Sequence, residues 1–217
     1  MTRPERLVLA AGTATDIGKT WVGGQVLSRL RGDGVAVAAR KPAQSAEADD
    51  PGPSDAAVLA AATGEPVEQV CPPHRWYTVA MAPPMAAGAL GLPVPTLDEL
   101  VAELTWPDGP ACQVGWVETV GGPRSPIGAD GDAVDLADAL DPDLVALVAD
   151  AGLGTVNSVR LGVDVFAPRP VVVFLNRFDA ADDLHRRNLD WLRTRERLEV
   201  VTDLEALTNR VAGRPAP

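Results

Sequence analysis

Short apolar runs alternate along this chain with stretches in which apolar residues recur every three or four positions. The runs fall at residues 6–11, 35–40, 113–117, 144–149 and 171–175, with a shorter one at 198–201. Their length and their Val, Leu and Ala content predict buried β-strands. Helical spacing is read near 19–31, 55–62, 96–105, 132–140, 155–165, 183–196 and 203–211. Ser54 precedes Asp55 as a helix start, Thr96 with Glu99 makes a capping box, and Thr63-Gly64 closes the second helix. This alternation predicts an α/β fold: a mostly parallel, twisted sheet with helices on both faces. Residues 1–217 are read as one domain. Ligands of such sheets bind beyond the carboxyl ends of the strands, so functional residues are sought just after them. Residues 42–53 and 71–95, rich in Pro, Gly and Ala, are expected to be loops over that edge, and Ala212–Pro217 to fray.

The first strand is followed by Gly12-Thr13-Ala14-Thr15-Asp16-Ile17-Gly18-Lys19-Thr20 and then a helix. Strand, glycine-bearing loop and helix are the setting of a phosphate-binding P-loop. Loop and helix N-terminal N–H groups capture anions there. A lysine adds a point charge for the β/γ-phosphates, and the Thr20 hydroxyl can ligate Mg²⁺. The strict motif places its first glycine at position 13, which is Thr13; here the glycine stands one residue earlier, at Gly12.

The ends of the other strands add chemistry. Lys41-Pro42 and Gln44-Ser45 follow the second, so Lys41 should face the same crevice. Asp55 reads equally as a favourable charge at a helix N-terminus and as a Mg²⁺ ligand. Glu118 ends the third strand, where P-loop enzymes keep a metal-directed carboxylate, and Gly121-Gly122 permit close backbone approach. Asp150-Ala151-Gly152-Leu153-Gly154-Thr155-Val156-Asn157 follows the fourth, with Asp150 a candidate hydrogen-bond partner for the P-loop or a neighbouring loop. Asn176 ends the fifth, as a turn cap or a contact to a nucleotide base.

Net charge is −11, which argues against nucleic acid or an anionic membrane as the main partner. Among 19 basic residues only Lys19 and Lys41 are lysines, and both fall in the expected crevice. The two cysteines, Cys71 and Cys112, have no metal-ligand spacing and read as ordinary buried thiols of a reducing compartment. No apolar run approaches the length of a membrane span and no signal-peptide pattern opens the chain, so a cytoplasmic protein is expected. His74 and His185 lie apart from these motifs, and serine hydrolase chemistry has no support.

Taken together, Gly12 to Thr20, Lys41-Pro42, Ser54-Asp55, Glu118-x-x-Gly-Gly-x-x-x-Pro126, Asp150-x-Gly-Leu-Gly-Thr-x-Asn157 and Asn176 resemble the dethiobiotin synthase family of P-loop ATPases, from about Leu7 to Asn176. The resemblance implies ATP- and Mg²⁺-dependent closure of a ureido ring. In that reaction 7,8-diaminononanoate takes up CO₂ as a carbamate, ATP phosphorylates it, and the second amine displaces phosphate. By position, Lys19 and Lys41 would stabilise the carbamate and the transferring phosphoryl group, with Thr15, Asp16 and Ser45 binding phosphate, carbamate or diamine. Thr20, Asp55 and Glu118 would hold Mg²⁺, and Asn176 would contact the base. Gly121 and Gly122 would lie against substrate, and a homodimer would bring Leu153, Gly154 and Asn157 to the substrate tail. The family usually has Asp where this chain has Ala14, often Glu for Asp16, and Gly and Ala for Thr119 and Val120; a histidine is replaced near Met85. Thr119 and Val120 are expected to line the crevice. Competing readings are a relative acting on another amine or acid, a MinD/ParA-like regulatory ATPase, a cobyrinate-type amidating synthetase, and a binding module without catalysis. The P-loop lacks the early lysine of the MinD/ParA group, and 217 residues leave no room for a glutaminase domain.

Overall fold

A computed structural model describes residues 3–47, 49, 51–107 and 112–214. Six parallel strands form the main sheet: β1 (Arg6–Gly12), β2 (Val37–Arg40), β5 (Val114–Glu118), β6 (Leu144–Asp150), β7 (Val171–Asn176) and β8 (Val200–Val201), in the order β2-β5-β1-β6-β7-β8. Alternate residues of β1 supply the two cores. Leu7, Leu9 and Ala11 join one buried cluster, and Val8 and Ala10 the other. Both faces of a parallel sheet are thereby covered, which explains why its strands read as unbroken apolar runs.

The first face carries α5 (Leu97–Ala102), α6 (Ala133–Leu140) and α7 (Thr155–Phe166), and the second α1 (Lys19–Gly32), α2 (Asp55–Thr63) and α9 (Leu204–Val211). Local signals set several ends. The Ser54 hydroxyl accepts from Ala57 N, the Thr96/Glu99 capping box is complete, and Gly64 (φ 81°) closes α2 in the left-handed conformation. Asp132 and Asp135 form a second capping box at α6.

The stretches expected to be loops are more ordered. Gln44–Ser45 (β3) pairs in parallel with Trp76–Tyr77 (β4), and α3 (Val67–Val70) and α4 (Pro83–Ala89) lie in the same excursion. Two-residue strands and one- to two-turn helices are too short for a periodic signal, and prolines hid them. The helix expected at 96–105 stops at Ala102: Glu103 is drawn to Arg75, and Pro107 lies just beyond. That at 183–196 is α-helical in α8 (Asp183–Asp190), then widens into a π-turn over Trp191–Arg195 as Arg193 donates to the Val200 carbonyl. Of the C-terminal residues expected to fray, Ala212–Arg214 are tied down, with Arg214 donating to Asp33; residues 215–217 lie outside the described residues. Among the described residues no helix is long and apolar enough to cross a membrane. Cys71 and Cys112 are free and buried, and burial pushes their thiols up to about 12 and about 11.

Helix α1 approaches the sheet through Gly23. A Cβ there would stand 2.9 Å from Trp116 Nε1 and 3.1 Å from Leu59 Cδ2. Gly23→Val should therefore overpack a closed contact and destabilise by about 1–3 kcal/mol. A thermal melt should show the midpoint fall by about 2–4 °C for each of those kcal/mol; an unchanged midpoint would mean that α1 can lift from the sheet without cost.

Candidate active site

The phosphate loop is shaped by close approaches. A Cβ at Gly12 would lie 2.9 Å from both Ile17 Cδ1 and Lys19 Cδ and 3.0 Å from the Ala14 carbonyl oxygen, so the loop folds closely over the glycine that stands one residue ahead of the strict motif. Thr13 N donates to the Val148 carbonyl (2.9 Å), fastening the loop to β6, and the Ile17 side chain is buried in the core. Asp16 adopts φ 57°, a left-handed conformation its short polar side chain tolerates. Gly18 has φ 88°, and a Cβ on it would meet Asn176 Nδ2 at 2.3 Å. Asn176 is buried beneath the loop and donates to the Ile17 carbonyl (2.7 Å).

Lys19 is buried, with Nζ donating to two neutral carbonyls, Ala14 (3.3 Å) and Gly121 (3.1 Å). Burial, and then the neighbouring Lys41 ammonium, lower its pKa. Lys41 is 2% exposed, which rules out a solvated surface lysine. Its Nζ meets Glu118 Oε1 at 2.7 Å, Asp55 Oδ2 at 2.7 Å and the Thr119 carbonyl at 3.3 Å. Burial alone would lower the Lys41 pKa; Glu118 and then Asp55 outweigh it and hold the ammonium charged well above the ordinary lysine range. Burial acts on Asp55 in the opposite sense, and Lys41 outweighs it, holding the carboxyl below its usual range.

Thr20 joins the same cluster. Its hydroxyl lies 2.8 Å from Asp55 Oδ1 and 2.8 Å from Glu118 Oε1. One hydroxyl proton cannot fully serve two carboxylates. Glu118 is fully buried, and among the described residues its Oε2 has no hydrogen-bond partner. A buried carboxylate oxygen without a partner is costly unless something cationic completes it. Hard oxygens from a hydroxyl and two carboxylates suit Mg²⁺, which takes one or two carboxylates and completes its shell with phosphate and water. The donor set therefore fits that ion. Glu118→Gln, nearly isosteric but uncharged, should raise the Mg²⁺ concentration needed for half-maximal activity by about tenfold or more, as expected for removing one charged ligand of a hard cation. Retention of both Mg²⁺ response and rate would make Glu118 a structural partner of Lys41 alone.

These groups open onto a crevice of about 750 Å³ at the carboxyl ends of β1 and β2. Thr15, Asp16, Gly18, Lys19, Thr20, Lys41, Ser45, Asp55 and Gly121 line it. The Ser45 hydroxyl donates to the Met81 carbonyl (2.5 Å), bracing the far wall. Gly121 (φ 53°) and Gly122 form the turn above, and Gly122 N donates to Ser125 Oγ (2.9 Å). Val120 stands in the wall as expected. Thr119 does not: it is fully buried behind the crevice, its hydroxyl donating to the Ala10 carbonyl (3.1 Å). Side chains alternate along an extended segment, so adjacent residues could not both face the ligand. Leu153, Gly154 and Asn157 lie outside this crevice; Leu153 is 92% exposed, at the tip of the β6–α7 loop.

Residues 6–211 match the family described as AAA domain. The chain is 38% identical, over 185 residues, to the ATP-dependent dethiobiotin synthetase of Anaeromyxobacter dehalogenans, with 82% of this chain and 79% of that protein covered. The chain belongs to the dethiobiotin synthase family. The Rhodococcus jostii synthetase is 34% identical over 211 residues, 95% of this chain and 89% of that protein. The Haloferax mediterranei synthetase is 34% identical, covering 82% and 74%. Likeness to the family thus continues past Asn176, beyond the motifs that carry the resemblance: α9 belongs to the core through Leu207 and Val211. A solved plasmid partition protein from Borrelia burgdorferi shares the fold at TM-score 0.55 and 11% identity, covering 98% of this chain and 97% of that one.

Sequence reasoning gave no site role to four residues found here. Gln44 accepts from Ala56 N at the start of α2 and so helps set Asp55; Ser125 orients the glycine turn; Tyr77 helps wall the crevice. Arg177 donates to the Asp16 carbonyl (2.7 Å) and to Asp150 Oδ2 (2.9 Å). It directly follows Asn176, and its position at a strand end was the available signal. Asp150 thus serves the neighbouring loop, also accepting from Gly152 N (2.9 Å).

Proposed function

We propose that this chain is an ATP- and Mg²⁺-dependent dethiobiotin synthase, closing the ureido ring of 7,8-diaminononanoate with CO₂ or bicarbonate as the carbon source. The observation that carries this reading is the convergence of both lysines of the chain with Thr20 and Asp55 on one crevice beside a P-loop, with Glu118 buried behind them and bonded to Thr20 and Lys41. Family relatives bearing that name support it.

In the proposed reaction one amine adds to CO₂ with loss of a proton, giving a carbamate. A carbamate oxygen takes the γ-phosphoryl group from ATP, releasing ADP. The second amine attacks the carbonyl carbon, the C–O bond to phosphate breaks, and inorganic phosphate leaves with the remaining amine proton. The protein's part is positioning and electrostatics. Lys19, held on neutral carbonyls, is free to move its charge to phosphate oxygens. Lys41 faces the carbamate, Thr15 and Asp16 frame the phosphates, and Ser45 and Val120 bound the amine. Thr20, Asp55 and Glu118 would hold Mg²⁺, which would supply positive charge against the charge developing on the phosphoryl group. Asn176 supports the loop and would lie near the base. The exposed Leu153 loop, with Gly154 and Asn157, would complete the substrate tail site of a second subunit in a homodimer. The chain is read as one domain acting in the cytoplasm.

The test is ADP release with bicarbonate, with and without 7,8-diaminononanoate, beside mass detection of dethiobiotin. Diamine-independent hydrolysis without product would remove the synthase reading.

A further inference from the structure

Asp16 and Ile17 form the crest of the phosphate loop, and two consecutive residues of β7's end grip it from outside. Asn176 Nδ2 donates to the Ile17 carbonyl (2.7 Å), and Arg177 Nη2 donates to the Asp16 carbonyl (2.7 Å). A trans peptide is planar, with its C=O and N–H pointing in opposite directions. Fixing the Asp16 carbonyl therefore aims the Ile17 N–H away from the grip, and fixing the Ile17 carbonyl does the same for Gly18. Orienting loop N–H groups is what a P-loop needs to cradle phosphate.

Arg177 is itself aligned. Its Nη1 donates to Asp150 Oδ2 (2.9 Å), and Asp150 Oδ1 accepts from Gly152 N (2.9 Å). Arg177 also adopts φ 56°, uncommon for arginine, as Asp16 does with φ 57°. Two adjoining non-glycine residues of the contact sit in the left-handed region, which persists where surrounding bonds over-determine it.

We propose that Arg177 is a positioning residue of the nucleotide site, clamping the P-loop crest into its binding conformation through the Asp16 carbonyl with Asp150 as its alignment partner. The idea rests on the proposed use of ATP and on no particular amine substrate. Without the clamp the crest samples conformations that do not bind, and apparent affinity falls by the fraction of competent loop. Arg177 is half-exposed, so the effect is moderate.

The experiment is calorimetric titration of the full chain with MgATP, comparing wild type, Arg177→Met and Arg177→Lys, beside thermal melts without nucleotide. Arg177→Met should raise Kd by about three- to tenfold, the scale of one partly exposed ionic contact expressed through loop population. Its ligand-free midpoint should stay within about 2 °C of wild type, as for an ordinary surface change. Arg177→Lys, which can reach one partner but not fork to both, should fall between. Inorganic tripolyphosphate, competed against ATP, should lose the same factor. Unchanged ATP affinity overturns the clamp. Loss for ATP but not tripolyphosphate overturns it in favour of a direct base or ribose contact. A drop in midpoint parallel to the affinity loss overturns it in favour of a merely structural role. An enzyme acting on a different amine would still show the affinity loss, whereas a genuine dethiobiotin synthase with normal affinity in Arg177→Met would sink this inference alone.

Discussion

Turnover in Lys19→Ala is expected to fall by about a hundredfold or more with ATP saturating. Among the described residues Lys19 makes no direct carboxylate contact: its Nζ rests on the Ala14 and Gly121 carbonyls, at 3.3 and 3.1 Å. It can exchange these neutral acceptors for phosphate oxygens without stripping a buried anion of its partner. A charge-assisted bond contributes about 1.5–3 kcal/mol, which at about 1.36 kcal/mol per factor of ten gives about ten- to a hundredfold for each oxygen met in the transition state. A γ-phosphoryl group in transfer spreads charge over several oxygens, so the loss should exceed the single-bond figure. Single-turnover ADP release is the measurement, and a near-normal rate would remove the lysine from the chemistry. The pH dependence gives an independent check. Burial and the Lys41 ammonium lower the Lys19 pKa, while bound phosphate favours its protonated form. ATP binding should accordingly weaken as pH rises through a value below that of ordinary lysine, with proton uptake on binding. In Lys19→Ala this contribution should disappear.

Much of this site was legible because catalytic groups sit at fixed places in an α/β sheet. Glycines, lysines and carboxylates immediately after apolar runs pointed to residues that the fold does gather: Lys19, Thr20, Lys41, Asp55 and Glu118. Lys41 and Glu118 stand at the ends of neighbouring parallel strands, β2 and β5, whose pairing brings together two residues that the sequence placed separately at strand ends. What stayed hidden depends on orientation and on short segments. Thr119 and Val120 are adjacent in sequence, yet only one can face the ligand; choosing between them needs the strand's phase at its end. The β3–β4 pair has too few residues to show periodicity. Arg177 acts through a bond to a backbone carbonyl across the sheet, and no side-chain pattern announces such a partner. Asp55 was open between helix charge and metal ligand. The structure explains why both readings arose, because it opens α2 and touches Thr20 and Lys41 at once.

The larger structural effect should come from Lys41→Ala. Removing Lys41 leaves Glu118, fully buried, without its cation, and leaves Asp55 beside it. Breaking a buried pair from one side costs about 3–5 kcal/mol, because the remaining charge is uncompensated. At about 2–4 °C per kcal/mol for a chain of this size, the midpoint should drop by about 6–20 °C without Mg²⁺. The pH response should weaken. In the wild type, Asp55 has a lowered pKa; its contribution is present above the unfolded carboxylate value of about 3.9 and is lost as pH falls through the lower folded value. In the variant Asp55 loses the ammonium that lowers its value, so the loss of stability on acidification should shrink. Added Mg²⁺ should recover part of the loss if the same oxygens bind it. Catalysis separates the roles further. A carbamate must approach an anionic γ-phosphate, and unit charges about 4 Å apart repel by roughly 4 kcal/mol at an effective dielectric near 20. A cation facing both offsets that repulsion most where the oxygens converge. With Mg²⁺ present and the fold verified, Lys41→Ala should therefore reduce diamine-dependent product formation far more than ATP affinity. If affinity and rate fall together, Lys41 serves only the nucleotide. If the midpoint, its pH dependence and the rate all match wild type, Lys41 is not the cation on which the two carboxylates depend.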